Sequence, residues 1–292
     1  MAYALLEQLR PRQWTKNLLL LAGVLFSVEF TVTSQVLRAL GAVTCFCLLS
    51  SAGYIFNDLK DLNSDRFHPR KRNRPLPSGR LSLAVARVIF ILLMIFGLGG
   101  AFLLGAGFGA VAVAYIALSI LYTLLLKRIV LLDVMCIAIL FVLRAVAGVE
   151  ALHPSPQLSP WLLVCTLFLA LFIAVVKRRH ERMTLLENAE RHRSILGEYS
   201  PELLDQMIPV VTGSTILAYA LYTIVPLTEE HAPPERMIYT IPFVVYGVFR
   251  YLYLIYRKGK GGAPSEVLLT DGPLLVNVAL WGVVVLLIFK LW

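Results

Sequence analysis

Charge is scarce in this sequence. Asp, Glu, Lys and Arg make up 15% of the 292 residues, where an ordinary soluble domain carries about a quarter. With 58% hydrophobic residues, that scarcity argues against a soluble globular class and for a polytopic membrane protein. Cysteine is nearly as sparse: Cys45, Cys47, Cys136 and Cys165 all lie inside apolar runs. Their spacing excludes a disulfide framework or a zinc site and leaves them as small core hydrophobes. Gly259, Gly261 and Gly262 follow no strand and match no GxGxxG or GKS/T pattern, which excludes a nucleotide-binding fingerprint. There is no heptad, no repeat of 20 to 50 residues and no low-complexity tail. The amino terminus lacks a short apolar region ending in a small-residue cleavage site, so the first span is expected to stay in the membrane.

Long apolar runs fill most of the chain. About nine of them approach the ~20 residues a bilayer requires: near 15–33, 36–57, 82–103, 106–126, 130–150, 160–177, 206–227, 237–256 and 273–291. The expected fold is all-α, a nine-helix membrane bundle with a cytoplasmic polar cap, forming one domain over 1–292. With the amino terminus in the cytoplasm, every Lys and Arg except Arg38, Arg236, Lys290, Arg144 and Arg250 falls on or beside a cytoplasmic segment. This is the positive-inside asymmetry, and it accounts for most of the net charge of +9 without nucleic acid. An odd number of spans puts Trp292 on the outer side.

Two polar segments interrupt the apolar pattern on the cytoplasmic side, about 58–81 and 177–205. In the first, Asn57, Asp58, Asp61 and Asp65 fall within roughly a 100° arc of a helix, followed by Arg66, Arg70, Lys71, Arg72 and Arg74. A face of three carboxylates and an amide, followed at once by these cations, repels itself unless divalent cations sit on it. Orientation in the membrane does not require the carboxylates, because Asp and Glu count little there. Divalent cations are expected, so the segment reads as a Mg²⁺-dependent diphosphate site at a membrane surface, in preference to a merely solvated loop. Pro75 and Pro77 then break the helix, and Ser78-Gly79-Arg80 turns the chain toward the next span.

Other polar residues are candidates of less specific pattern. Trp14 and the cations of Arg10-Pro11-Arg12-Gln13-Trp14-Thr15-Lys16-Asn17 suit an interfacial lead-in, yet Lys16 opens the first span and is placed either to reach a phosphate or to snorkel. Tyr122 and Lys127 end the fourth span, where they serve as a belt aromatic and an anchor or as substrate contacts. Asp133 returns to the same surface after a short loop. Arg144 lies ~16 Å deep in the fifth span, where a lone guanidinium is costly; its expected partner is Glu150 or an anionic lipid. Lys177, His180 and Glu181 share a helix face at i, i+3 and i+4, within Lys177-Arg178-Arg179-His180-Glu181-Arg182. Arg191, His192, Arg193 and Glu198 follow in a segment longer than a connector needs. Asp271 is a candidate for the rim.

The run Asn57-Asp58-Leu59-Lys60-Asp61-Leu62-Asn63-Ser64-Asp65 resembles the NDxxDxxxD signature of the UbiA-type intramembrane prenyltransferase superfamily, and the nine-span hydropathy agrees over essentially the whole chain. Most members join a prenyl diphosphate to an aromatic ring and carry a second motif of the form DxxxD. Here Lys177-Arg178-Arg179-His180-Glu181 stands in that place, and residues 10–17 resemble the RPxQWxKN opening of the decaprenyl-phosphate phosphoribosyltransferase branch. That resemblance implies an enzyme, a phosphoribosyltransferase of the cell (inner) membrane with its active site in the cytoplasm. It implies transfer of 5-phosphoribose from 5-phosphoribosyl 1-diphosphate to a polyprenyl (decaprenyl) phosphate, releasing pyrophosphate, for cell-wall arabinan. Carried over, Asn57, Asp58, Asp61 and Asp65 hold Mg²⁺, with Asp58 and Asp61 at the centre of the chemistry. Lys16, Arg66, Arg72, Tyr122, Lys127, Arg144, Lys177, Arg178, His180, Glu181 and Arg182 meet the substrates. No general base is implied, since a phosphate monoester dianion is itself the nucleophile. The rivals are a prenyltransferase acting on an aromatic acceptor and a non-catalytic transporter or lipid binder, the latter without the paired Gly/Pro-broken spans that transport favours. A bundle this apolar can also form a homo-oligomer through its lipid face.

Overall fold

The computed structural model describes residues 2–26, 32–67, 71–156, 160–185, 194–225, 235–259, 267 and 270–290. Among them there is no strand, and eight helices are long and apolar enough to cross a membrane. The chain divides into two compact units, Met1–Gln157 and Leu158–Trp292.

In the first unit, α1 (Ala2–Leu9) leads into a 3₁₀ helix (Pro11–Leu20) and α2 (Leu21–Phe26). The expected first span at 15–33 is thus a 3₁₀ segment running into a short α-helix, with residues 27–31 outside the described set. Such a long 3₁₀ stretch is uncommon, and side-chain ties to the neighbouring helix accompany it. Trp14 Nε1 donates to Ser51 Oγ at 3.0 Å and Asn17 Nδ2 to Ser50 Oγ at 3.1 Å.

Those serines belong to α3 (Thr33–Lys60), the axis of the unit. It buries Ala39, Ala42, Cys45, Phe46, Leu49, Ala52 and Ile55, a three-to-four-residue period that presents one continuous face. Small residues set the spacing, as membrane helices require in place of a hydrophobic driving force: a side chain at Gly97 of α5 (Leu83–Leu104) would meet Leu49, and one at Gly100 would meet Cys45. Phe46 packs against Phe108 and Tyr115 of α6 (Ala106–Leu124), with centroids 5.7 and 5.0 Å apart. The tightest crossing joins α2 to α7 (Leu132–Glu150), where a Cβ on Gly23 or Gly148 would enter the opposing backbone. All four cysteines are free; three are buried and Cys165 is half-buried.

The acidic segment does not continue as a single helix. Asp61 caps α3, and α4 (Leu62–Phe67) restarts the chain. The expected Pro75/Pro77 break is present: Gly79 has φ 76°, Ser78 Oγ donates to the Arg74 carbonyl, and Ser82 caps α5. Leu76 and Leu81 are buried with Ile55 and Ala86, against Leu5, Leu9, Leu59 and Leu62. This small apolar cluster fixes the cap segment to α1, α3 and α5 and thereby aims Arg74.

In the second unit, α8 (Pro160–Leu185) packs along α9 (Pro201–Ile224), followed by α10 (Ile241–Lys258) and α11 (Gly272–Lys290). Arg250, inside a span, finds its counter-charge in Asp271 at 3.1 and 2.9 Å. Asp271 also accepts from Leu274 N at 3.0 Å, so it caps α11.

Candidate active site

Where α3 ends, the four motif residues separate into two pairs. Asn57 and Asp61, four residues apart, turn toward the 3₁₀ turn Leu126–Arg128. There Lys127 Nζ donates to both Asp61 oxygens at 2.6 and 2.7 Å and to Asn57 Oδ1 at 3.3 Å. Asp58 and Asp65 turn the other way and share Arg74, whose NH1 lies 3.0 Å from Asp58 and 3.1 Å from Asp65. Asp58, 1% exposed, also accepts from Arg10 at 2.6 Å and from Gln8 Nε2 at 2.8 Å. Asp65 is buried as well and takes Lys71 Nζ at 3.1 Å.

The sequence expectation that only divalent cations relieve this face is therefore corrected. Arg10, Lys71, Arg74 and Lys127 already neutralise it, because the turn after Pro75 and the short loop after α6 bring distant cations to the carboxylates. Burial, then the neighbouring Arg10 guanidinium, lowers the pKa of Arg74 from its ordinary value, against the pull of Asp58 and Asp65. Guanidinium and ammonium groups that face carboxylates at an open membrane surface are also the groups that bind phosphates.

Among the described residues, no three His, Cys, Asp or Glu side chains approach closely enough to hold a metal unaided. The donors present are nonetheless hard oxygens, from Asn57, Asp58, Asp61 and Asp65. Mg²⁺ is commonly held by one or two carboxylates together with substrate phosphates, so the donor set fits a metal that arrives with a diphosphate.

Other expected site residues fall in distinct places. Arg66 and Arg72 are exposed; Tyr122 is half-buried in the last turn of α6. Arg144 is 4% exposed, and Glu150 is not its partner. Its Nε donates to Asn17 Oδ1 at 2.9 Å, its NH1 to the Leu140 carbonyl at 2.9 Å and its NH2 to the Tyr115 hydroxyl at 2.7 Å. Glu150, six residues along α7, lies ~9 Å further up the helix and on another face, beside Gly107.

In the second unit, the expected Lys177, His180 and Glu181 face is organised by Arg178. That guanidinium is buried and donates to Glu181 at 2.6 Å, while Lys177 stands at 3.8 Å from the same carboxylate. His180 and Arg182 are half-buried on the same helix. Arg179, not expected at the site, pairs with Asp205 at 2.5 Å and stacks on Tyr256. Arg191, His192 and Arg193 lie outside the described residues, as do parts of both cap segments (68–70 and 186–193).

Sequence reading left Gln8, Arg10, Lys71 and Arg74 out of the site. Arg10 carried a signal, as the first residue of the Arg10–Asn17 opening. Arg74 carried only its membership of a basic run, and Gln8 none.

Comparison with known proteins agrees with this geometry. The sequence profile of the UbiA prenyltransferase family matches residues 18–270. The decaprenyl-phosphate phosphoribosyltransferase of Corynebacterium glutamicum is 32% identical over 96% of this chain and 85% of its own length. That of Mycolicibacterium smegmatis is 31% identical over 95% of this chain and 89% of its own. A UbiA homolog from Archaeoglobus fulgidus, solved bound to GPP and Mg²⁺, superposes with a TM-score of 0.74 at 18% identity, over 98% of this chain and 99% of that one. An all-helical, multi-span membrane protein carrying this acidic motif, matched by that profile through most of its length, is a transferase of the UbiA prenyltransferase family.

Proposed function

We propose that this enzyme transfers 5-phosphoribose from 5-phosphoribosyl 1-diphosphate to a polyprenyl phosphate, such as decaprenyl phosphate, and releases pyrophosphate. The observation that carries the reading is the excess of cations around the acidic motif. Arg10, Lys71, Arg74 and Lys127 all reach it, and a donor bearing a 5-phosphate as well as a diphosphate uses more cations than a prenyl diphosphate does. The names of the two relatives above support the same assignment. The product, a polyprenyl phosphoribose, would feed cell-wall arabinan.

In this reading the donor diphosphate lies over Asn57, Asp58, Asp61 and Asp65. These side chains would hold Mg²⁺, which would stabilise the negative charge that develops on the departing diphosphate. Lys127, Arg10 and Arg74 leave their carboxylates in part and turn to the phosphates, where charge-assisted hydrogen bonds fix the leaving group. An oxygen of the acceptor phosphate attacks C1 of the ribose as the C1–O bond to the diphosphate breaks. The electron pair leaves with pyrophosphate, and an acceptor that enters as the dianion gives up no proton. Within the second unit, Lys177, Arg178, His180, Glu181 and Arg182 form a basic motif of their own on α8, suited to phosphate. Arg66, Arg72 and Tyr122 line the donor's approach. We read both compact units as parts of one catalytic domain in the cell membrane, since the family profile runs across both, with the site on the cytoplasmic side and the carboxyl terminus outside.

Purified protein is expected to convert labelled 5-phosphoribosyl 1-diphosphate and a polyprenyl phosphate to a labelled lipid in the presence of Mg²⁺. No labelled lipid from that pair, with product formed from an aromatic acid and a prenyl diphosphate, would reject the reading.

A further inference from the structure

The helix that carries the acidic motif has a second polar feature on its other side. Asn57, Asp58 and Asp61 occupy one flank at the end of α3, and Phe56, Leu59 and Lys60 lie roughly 150° around the axis from them. On that far side, between the end of α3, α4 and the start of α5, is a recess of about 350 Å³. Its walls are Phe56, Leu59, Leu62 and Leu83, and its polar groups are Lys60, Asn63 and Arg87.

The two cations are not used inside the protein. Lys60 and Arg87 are exposed, and neither side chain makes an ion pair or a hydrogen bond among the described residues. The acids at this end of the unit are held elsewhere: Asp58 and Asp65 by Arg10, Lys71 and Arg74, Asp61 by Lys127, and Glu7 by Arg80. The recess therefore carries positive charge that calls for an anion from outside. Its walls are fixed without one. Phe56 stacks on Phe90 of α5 with centroids 5.9 Å apart, and Leu59 and Leu62 pack on the apolar cluster of Ile55, Leu76, Leu81 and Ala86.

The surroundings say where the anion comes from. Arg87 stands five residues after the Ser82 cap, ~7 Å along a membrane-spanning helix, from where a guanidinium reaches back to headgroup level. Leu83, Arg87, Ile91 and Ile95 follow one another at intervals of four along α5, and the three apolar members of that row are exposed. A soluble anion has no use for an apolar row leading out of its site; acyl chains match it. The position behind α3 also separates the occupant from the chemistry, because a phosphate seated here is turned away from Asn57, Asp58 and Asp61.

We propose that this recess binds the phosphate head of an anionic glycerophospholipid from the surrounding bilayer. Lys60 and Arg87 hold the phosphate, Asn63 serves the headgroup hydroxyls, and the acyl chains lie along Leu83, Ile91 and Ile95. Basic pockets between membrane helices bind anionic headgroups in this way. The bound lipid ties α4 and the end of α3 to α5 from behind the acidic motif. This inference does not depend on the phosphoribosyl-transfer reading.

The test uses full-length protein in phosphatidylcholine nanodiscs containing increasing fractions of spin-labelled phosphatidylglycerol, with the immobilised label read by paramagnetic resonance. Lys60→Gln and Arg87→Gln are each expected to weaken the preference for phosphatidylglycerol about fivefold, and the double variant about twenty-five-fold. Both side chains are exposed and outside the packed core, so the fold should stand. Leu83→Trp, which fills the recess and keeps both cations, should also lose the preference. Phosphatidylglycerol should slow hydrogen exchange over residues 62–67 in the wild type and not in the double variant. Arg128→Gln removes an exposed cation beside Lys127, outside the recess, and should change little. A loss there equal to that of Arg87→Gln, or an undiminished preference in the double variant, would overturn the site. Displacement of the label by undecaprenyl monophosphate more readily than by phosphatidylglycerol would hand the recess to the acceptor lipid. Displacement by inorganic phosphate beyond that by chloride at equal ionic strength would hand it to a soluble anion. Either result would overturn the assignment to a bilayer phospholipid.

Discussion

Asp58→Asn separates the structural role of the acidic motif from the metal and diphosphate role proposed for it. In the structure Asp58 is buried and accepts from Arg10, Gln8 and Arg74 at 2.6, 2.8 and 3.0 Å, so it ties α1 and the cap segment to the end of α3. Removing one partner of a buried ion pair costs about 3–5 kcal/mol. Here the loss is smaller, because Arg10 and Arg74 are 22% and 30% exposed and Arg74 keeps Asp65. About 2–3 kcal/mol is expected, near the value of a charge-assisted hydrogen bond. Titration with SDS in mixed micelles measures it, with Arg10→Gln and the double variant completing a thermodynamic cycle whose coupling is about 1–2 kcal/mol. Hydrogen exchange over residues 2–10 should rise in both single variants, since Gln8 and Arg10 anchor that helix. Stability within about 0.5 kcal/mol of wild type, with additive single effects, would refute the clamp. Full turnover in the same variant would refute the metal and diphosphate site as well.

Three further outcomes follow from the same geometry. Lys127→Met removes the cation 2.6 Å from Asp61; it should tighten Mn²⁺ binding without diphosphate while lowering turnover, and unchanged Mn²⁺ affinity by paramagnetic resonance would contradict the pairing. Chelation should abolish turnover, and added Mg²⁺ should restore it. Gly148→Ala places a methyl group against the Leu20 backbone, which cannot give way as a side chain does; a loss of about 3 kcal/mol or more is expected, whereas Gly213→Ala, open on all sides, should be neutral or slightly stabilising in the same denaturation assay.

The sequence alone determined the class of the protein and the position of its acidic motif. Apolar runs of bilayer length specify helices because a backbone in lipid must satisfy its own hydrogen bonds, and eight of the nine expected spans are helices of that kind. The Asn57–Asp65 spacing is local, so one helix and its cap suffice to reveal it. The Pro75/Pro77 break was legible for the same reason.

What tertiary structure decided was which charges meet. Asp58 finds Arg10, 48 residues before it, and Asp61 finds Lys127, 66 residues after it; no helical periodicity reaches so far. The expected partner of Arg144, Glu150, was chosen by nearness in sequence, while the structure supplies Asn17 from 127 residues away and Tyr115 from the neighbouring α6. A carboxylate face read along one helix repels itself and calls for a metal. Folding brings four cations onto that face and leaves Lys16 and Arg144 with none of its acids, because helix crossings, not sequence neighbours, decide which charges are buried together.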